Sequence, residues 1–326
     1  MTRILASREL LLLAAIVVLL GLIALRFPAF IAPTNLMAVF NDTSPLILLA
    51  IGQMIVILTR CIDLSVAANL ALTGMVVALI NLAQPDLHIA LILGISIGFG
   101  ALLGMFNGVL VWKLDIPPIV VTLGTMTIFR GVIFLLTEGK WVNSHEMSAA
   151  FKAFPRTDLL GLPVLSWFAI GAVLVFTVLM NRTTLGRAFY AVGGNPHAAT
   201  YAGINVGRTQ FWAFTISGAL AGLAGYLWVS RFAVAYVDIA GGFELTVVAA
   251  CVIGGVSIMG GVGSIVGALL GALFLGIIAN ALPVVNVSPF WQMAISGSAI
   301  IIAVILNAQA NRTKGRIILK SAENVA

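Results

Sequence analysis

Charge is scarce in this chain: Asp, Glu, Lys and Arg supply only 9% of its 326 residues, against 61% hydrophobic residues. Soluble domains carry about 25% charged residues, so the composition excludes an ordinary soluble globule. Cysteine is equally sparse. Cys61 and Cys251 are the only two, and thiols so far apart in apolar sequence give neither a disulfide framework nor metal-ligand spacing. The three histidines, His88, His145 and His197, are scattered, and His145-Glu146 lacks the second His of a zinc-binding helix. There is no G-x-x-x-x-G-K-[ST] run, and the single Gly-Lys pair, Gly139-Lys140, stands outside the long apolar runs. The chain is therefore expected neither to bind nor to hydrolyse ATP, to be no enzyme, and to need no metal or other cofactor. Carboxylates deep inside apolar runs are missing as well. Asp42, Asp63, Asp86, Asp115, Asp238 and Glu244 fall at the ends of runs, which argues against a proton- or sodium-coupled carrier.

What the chain has in abundance is long apolar runs, each near the ~20 residues that a helix needs to cross a bilayer. Ten are expected, near residues 10–25, 45–60, 65–83, 88–112, 117–137, 162–181, 210–230, 244–259, 262–284 and 288–308. The fold class is thus an all-α polytopic membrane protein, a single transmembrane domain over residues 1–326. The first run follows Arg3 and Arg8 without a small-residue cleavage site, so it reads as a helix rather than a secretory signal.

Basic residues orient the chain, because loops retained in the cytoplasm keep the positive charge. With the N-terminus inside, eleven of the 17 Lys and Arg fall on the cytoplasmic side, five fall outside and Arg130 lies within a span. Both termini are then cytoplasmic, including the basic tail 309–326. The net charge of +6 is a consequence of topology and does not imply nucleic-acid binding.

Two features organise the interior. "IDLSVAANLALTG" at 62–74 aligns with "FELTVVAACVIGG" at 243–255, acid-Leu-hydroxyl-Val in both, and "GALLG" occurs at 100–104 and again at 267–271. Each pair lies five spans apart. An odd offset inverts one half against the other, predicting inverted five-helix halves, 1–160 and 161–310, with the substrate path between them. Glycines also recur at a spacing of four, at Gly100, Gly104 and Gly108, at Gly218 and Gly222, and at Gly263, Gly267 and Gly271. Such stripes let helix backbones approach closely in lipid.

One segment is neither apolar nor featureless. In "GRAFYAVGGNPHAATYAGINVGR", residues 186–208, Gly193-Gly194 is expected to break a preceding helix. Asn195 is suited to an N-cap, Pro196 to the first helical position, and a short helix runs to Gly203. Ala198, Tyr201 and Ala202 would form a compact apolar face flanked by Arg187 and Arg208. In the cytoplasmic loop 182–208 between the sixth and seventh spans, such a helix is built to transmit force to a soluble partner; a plain solvated connector is the alternative.

This segment closely resembles the cytoplasmic coupling loop in permease subunits of bacterial ABC importers for monosaccharides, a group that includes ribose, xylose, arabinose, rhamnose and autoinducer-2 permeases. "QMIVILTRCIDLSVAANLALTG", "IPPIVVTLGTMTIFRG" and "FELTVVAACVIGGVSIMGGVGSIVGALLGA" resemble three further family motifs in the same order. Two departures stand out: Arg60-Cys61 replaces a usual Gly-Gly before I-D-L-S, and Thr246 stands where an acid is common after E-L. "FNDTSPLILLAIGQM", "LPVLSW" and "VSRFAVAYVDIAGGFEL" look most like rhamnose permeases.

The resemblance implies a multi-pass protein of the bacterial inner membrane that imports a sugar by alternating access. Its implied partners are a separate ABC ATP-binding subunit, a periplasmic sugar-binding protein and a second permease chain, identical or not. Arg187, Gly193, Gly194, Asn195, Pro196, Ala198, Tyr201 and Gly203 are the residues expected to couple to the ATPase. An ion-coupled secondary sugar transporter remains the alternative, with a passive channel or a structural membrane partner behind it. Polar groups inside apolar runs are the candidates for the translocation path: Gln53, Asn69, Asn107, Thr122, Thr125, Gln292 and Ser296, with Thr73 and Asn280 also eligible. Arg130 would line an outer vestibule or snorkel to the interface. Asp238 and Glu244, with Tyr236 and Phe243 beside them, would dock the binding protein.

Overall fold

A computed structural model describes residues 8–284 and the positions 291, 294, 297, 298 and 301. Twelve α-helices follow in order: α1 Arg8–Arg26, α2 Pro33–Leu58, α3 Val66–Ala83, α4 Ile89–Lys113, α5 Pro118–Thr137, α6 Ala149–Ala153, α7 Val164–Arg182, α8 Thr184–Gly194, α9 Pro196–Tyr201, α10 Val206–Phe232, α11 Phe243–Ile253 and α12 Ile265–Val284. Eight of these, α1 to α5, α7, α10 and α12, are long and apolar enough to span a membrane. A two-residue hairpin, β1 Asp158–Leu159 with β2 Leu162–Pro163, turns on Leu160 and Gly161, both at positive φ. The expected tenth span, with Gln292 and Ser296, lies outside the described residues.

Local chemistry sets the ends of the helices. Pro33, Pro118 and Pro196 occupy first-turn positions, where the missing N–H costs nothing. Asn205 Oδ1 accepts from the Arg208 N–H at 2.8 Å and starts α10; Thr183 Oγ1 accepts from the Gly186 N–H at 3.1 Å and starts α8.

Two expected spans need correction. The second begins at Pro33 rather than near residue 45, because Pro45 is tolerated inside the helix. Asp42 therefore lies within α2, not at a run's end, and pairs with Arg231 of α10. The eighth, expected over 244–259, is only the 11-residue α11. At ~1.5 Å per residue it rises about 16 Å, half of a ~30 Å hydrocarbon core. Gly254 and Gly255 end it, Gly255 at φ 86°, and an irregular loop runs on to α12. Hydropathy did not register this stop because the loop residues, Ser257 and Ser264 apart, are themselves apolar or glycine.

The helices α2 and α10 form the core, and α3, α4, α7, α11 and α12 surround them. α1 packs on α12 at the periphery. Close approach depends on glycine. A Cβ on Gly104 would strike the Phe214 carbonyl oxygen, and one on Gly100 the Gly218 carbonyl oxygen, so the α4 and α10 stripes meet backbone to backbone. Ser96 Oγ then reaches the Gly222 carbonyl at 2.7 Å. Gly267 and Gly271 of α12 lie equally close to Gly254 and Ala250. Gly263, the third member of that stripe, sits in the loop before α12.

The two repeat segments run in opposite directions. Leu58, just before α3, accepts a bond from the amide of Gly261, just after α11, at 3.0 Å. The start of α3 and the end of α11 therefore share one end of the bundle, the end that also carries α8 and α9.

Candidate functional site

Three chain segments converge at the α8–α9 end. The C-terminus of α2, the C-terminal turn of α8 and the α11–α12 loop meet at Leu58, Gly193 and Gly261, where Cβ atoms on either glycine would overlap the neighbouring backbones. Gly193 and Gly194 do not break the helix as expected. Both belong to α8, which continues to Gly194 because neither adopts a positive φ. The break comes one residue later, at Asn195, whose extended backbone (φ −152°) ends α8 while its Oδ1 accepts from the Ala198 N–H at 3.1 Å and starts α9. Pro196 holds the first helical position, and Gly203 at φ +81° turns the chain toward α10.

The α9 helix points its expected face away from the rest of the chain. Ala198, Tyr201 and Ala202 are exposed, Tyr201 at 94%. Arg187 is exposed too and lines, with Arg208, Thr184, Asn205 and Trp212, an open groove of about 580 Å³ beside α9. Beneath this surface α8 is anchored. Phe189 and Val192 are fully buried, and the half-buried Tyr190 hydroxyl donates to the Gly263 carbonyl at 3.0 Å. Burial pushes the Tyr190 phenol above its ordinary pKa, so it stays a protonated donor.

The junction continues into a buried polar hub built on the loop 59–65. Asp63, 2% exposed, accepts from the Ser65 N–H at 3.0 Å, the Ser65 hydroxyl at 2.6 Å and the Ser217 hydroxyl of α10 at 3.3 Å. Asn107 of α4 donates to Ser65 Oγ at 2.8 Å. Thr122 of α5 donates to the Ile62 carbonyl at 3.2 Å, and Gln210 of α10 to the Thr59 carbonyl at 3.3 Å. Gln53 of α2, in the amide orientation that matches donors to acceptors, spans the backbone of Asp63 at 3.1 and 3.2 Å. One loop thus holds α2, α4, α5 and α10 together through side chains that would otherwise be orphaned in lipid. Asn107 Oδ1 is buried and without a hydrogen bond among the described residues.

Of the expected path residues, Gln53, Asn107 and Thr122 meet at this hub. Thr125 bonds one turn back to the Thr122 carbonyl at 3.4 Å. Asn69 donates to the Gly100 carbonyl at 3.1 Å and accepts from Thr73 at 3.1 Å, tying α3 to α4. Asn280 bonds within α12 to Gly276 at 2.9 Å, away from the hub.

At the opposite end, Arg130 departs from expectation. Its guanidinium donates to the Val237 and Ile239 carbonyls at 2.6 and 2.7 Å, so it clamps the loop before α11. Asp238 is exposed on that loop and Glu244 is half-buried in the first turn of α11. Tyr236 stacks on Trp141 with centroids 4.8 Å apart, and Phe243 packs on Trp228 at 5.1 Å.

The hub's central residues include some that sequence reasoning passed over. Ser217 carried no motif. Arg60 was visible only as a departure from glycine, and the backbone explains that pattern: Arg60 sits at φ 64°, the left-handed region, at a cost of about 1–2 kcal/mol for a residue with a Cβ.

A bundle of apolar, span-length helices with the short exposed helix α9 at one end and the half-length α11 inside is the architecture of a polytopic membrane protein. Residues 35–304 match the family described as "Branched-chain amino acid transport system / permease component". The chain is 36% identical over 316 residues to the autoinducer 2 import system permease protein LsrC of Enterobacter sp. (strain 638), covering 97% of this chain and 91% of that protein. It is 38% identical over 290 residues to the ribose import permease protein RbsC of Bacillus subtilis (strain 168), covering 89% of each. A third relative, RbsC of Haemophilus influenzae, is 34% identical over 293 residues, 89% of this chain and 90% of the other. The chain belongs to this family of ABC-importer permeases, and its role is that of a transport component rather than an enzyme. The ion-coupled carrier finds no support among these relatives. No solved structure matches the chain.

Proposed function

We propose that this permease imports a monosaccharide, driven by a separate ATP-binding subunit that docks on α8 and α9 and supplied by a periplasmic sugar-binding protein at the opposite end. The single observation that carries the reading is the α9 face of Ala198, Tyr201 and Ala202, solvent-exposed yet mounted on the deeply anchored α8. An exposed aromatic on a rigid mount is what a docking lever requires. Arg187, Gly193, Gly194, Asn195, Pro196 and Gly203 build or flank that lever. Its displacement reaches the loop 59–65 through the glycine junction, and the hub then shifts α2, α4, α5 and α10 between outward- and inward-open arrangements.

In this reading Gln53, Asn69, Asn107, Thr122 and Thr125 form the moving wall of the path, to which the expected Gln292 and Ser296, outside the described residues, also belong. The Asn107 acceptor, without a partner among the described residues, supports this, because a sugar hydroxyl is a donor of the right kind. Asp238 and Glu244 receive the binding protein. The excess of basic residues in alternate loops supports cytoplasmic termini, placement in the inner membrane and the α8–α9 end as the cytoplasmic one. The halves 1–160 and 161–310 rock about the path, and a second permease chain, the same or different, completes it.

As substrate we propose rhamnose on the local motifs of the chain; the relatives are named for ribose and autoinducer 2 and support the wider sugar class. The test is ATP-driven uptake of radiolabelled rhamnose, ribose, arabinose and xylose into vesicles holding the permease, its ATPase and its binding protein. Accumulation of one sugar that requires ATP and ignores a proton ionophore is expected. Uptake that survives ATP depletion and collapses with the ionophore would overturn the proposal.

A further inference from the structure

Arg60 reaches across the junction in a way that nothing above uses. Its Nε donates to the Gly193 carbonyl at 2.8 Å and its terminal nitrogen to the Gly194 carbonyl at 2.9 Å. These are carbonyls at the C-terminal end of α8, where no intrahelical donor remains and the helix dipole favours a cation. The side chain crosses Gly260 on its way, where a Cβ would meet Arg60 Cγ. One side chain, rooted in the loop that carries the hub, therefore grips the end of α8 with its guanidinium and lies against the α11–α12 loop with its aliphatic stem.

The other hydrogen-bonded tie at this point is indirect, running from Tyr190 of α8 to the Gly263 carbonyl and from the Gly261 amide to the Leu58 carbonyl, so it links α8 to the end of α2 only through the α11–α12 loop. A Cβ on Gly194 would meet open space, and the close neighbour of its backbone is Gly261 of the α11–α12 loop rather than the loop 59–65. The Gly193 contact with Leu58 is a hard-sphere one, which transmits a push but not a pull. Charge-assisted hydrogen bonds act in both directions. Arg60 also holds a backbone conformation that glycine would adopt without strain, so its side chain has a positional use that offsets the cost.

We propose that Arg60 is a positioning residue: a two-pronged latch that makes the loop 59–65, and with it the polar hub, follow the α8–α9 element in both halves of the transport cycle. This rests on the reading of α8 and α9 as the ATPase-docking element.

The test uses the complete complex in vesicles and the variants Arg60→Gly, Arg60→Ala and Arg60→Lys. Glycine suits φ 64°, so Arg60→Gly is expected to fold, insert and bind the ATPase with an unchanged or raised unfolding temperature. Its uptake of the sugar that wild type accumulates should fall at least about tenfold while ATP hydrolysis stays within about twofold, raising ATP spent per sugar. Arg60→Ala should lose uptake to the same degree despite its strained backbone, and Arg60→Lys, with one compact donor group, should recover part of it. Uptake and stoichiometry in Arg60→Gly equal to wild type would overturn the latch. So would a parallel loss of stability and ATPase binding, which would make Arg60 a structural strut. Failure of the docking reading itself appears separately, as wild-type vesicles that show no ATP-driven uptake.

Discussion

Gly193 and Leu58 meet backbone to backbone: a Cβ on Gly193 would overlap the Leu58 carbonyl oxygen, and the Gly261 amide that bonds to that same oxygen at 3.0 Å. The neighbouring Gly194 faces open space. Gly193→Ala is therefore expected to lower stability by about 1–3 kcal/mol through overpacking and to impair transport. Gly194→Ala should stay within about 1 kcal/mol of wild type. Thermal unfolding of the detergent-purified variants reads the difference; equal effects would show that the close approach does not exist.

The Asp63 carboxylate gathers three donors, and what replaces it decides the outcome. Asparagine keeps an acceptor for the Ser65 amide and hydroxyl and offers its nitrogen to Ser217 Oγ, so Asp63→Asn should cost about 1 kcal/mol. Asp63→Ala strands all three donors and should cost about 3 kcal/mol or more. An alanine variant as stable as the asparagine variant would contradict the hub.

Arg130 clamps the loop before α11 by two backbone carbonyls. In Arg130→Ala, amide exchange at Ala235, which donates to the Val142 carbonyl at 3.0 Å, is expected to accelerate about tenfold or more. Arg130→Lys should fall between. Unaltered exchange would assign the loop's order to the Trp141–Tyr236 stack instead.

The glycine stripe on α4 has a specific orientation. Gly104 lies against the Phe214 backbone whereas Gly98 has nothing within 4 Å. Gly104→Ala should destabilise by about 1–3 kcal/mol, and Gly98→Ala should be neutral or mildly stabilising. Unfolding in detergent distinguishes the two.

Tyr201 is so exposed that Tyr201→Ser should leave folding within about 0.5 kcal/mol of wild type. Co-purification of the ATPase with that variant should fall sharply. A cysteine at the same position should be labelled from the cytoplasmic side only; labelling from outside would invert the topology.

Much of this was legible in the residues. The apolar runs, the α9 cap at Asn195-Pro196, the glycine stripes and the opposed repeat segments follow from hydropathy, capping chemistry and spacing, which act over a few positions at a time. One error, the late start of the second span, came from Pro45, which α2 tolerates; two others share a source in glycine. Gly193-Gly194 read as a helix break and 244–259 as a full span because a glycine's conformation depends on what packs against it, and glycine-rich apolar sequence serves a helix or a buried loop equally well.

Composition and local pattern suffice to show that the chain dissolves in a bilayer as a bundle of helices, carries one polar element apart from the spans, and contains no ATP-binding or catalytic motif. That Asp63 is the centre of a hub, that Arg130 grips a loop and that Arg60 grips α8 emerges from the packed helices alone. Hydrogen bonds between residues 42 to 154 positions apart depend on where helices end in space, and no local pattern encodes that.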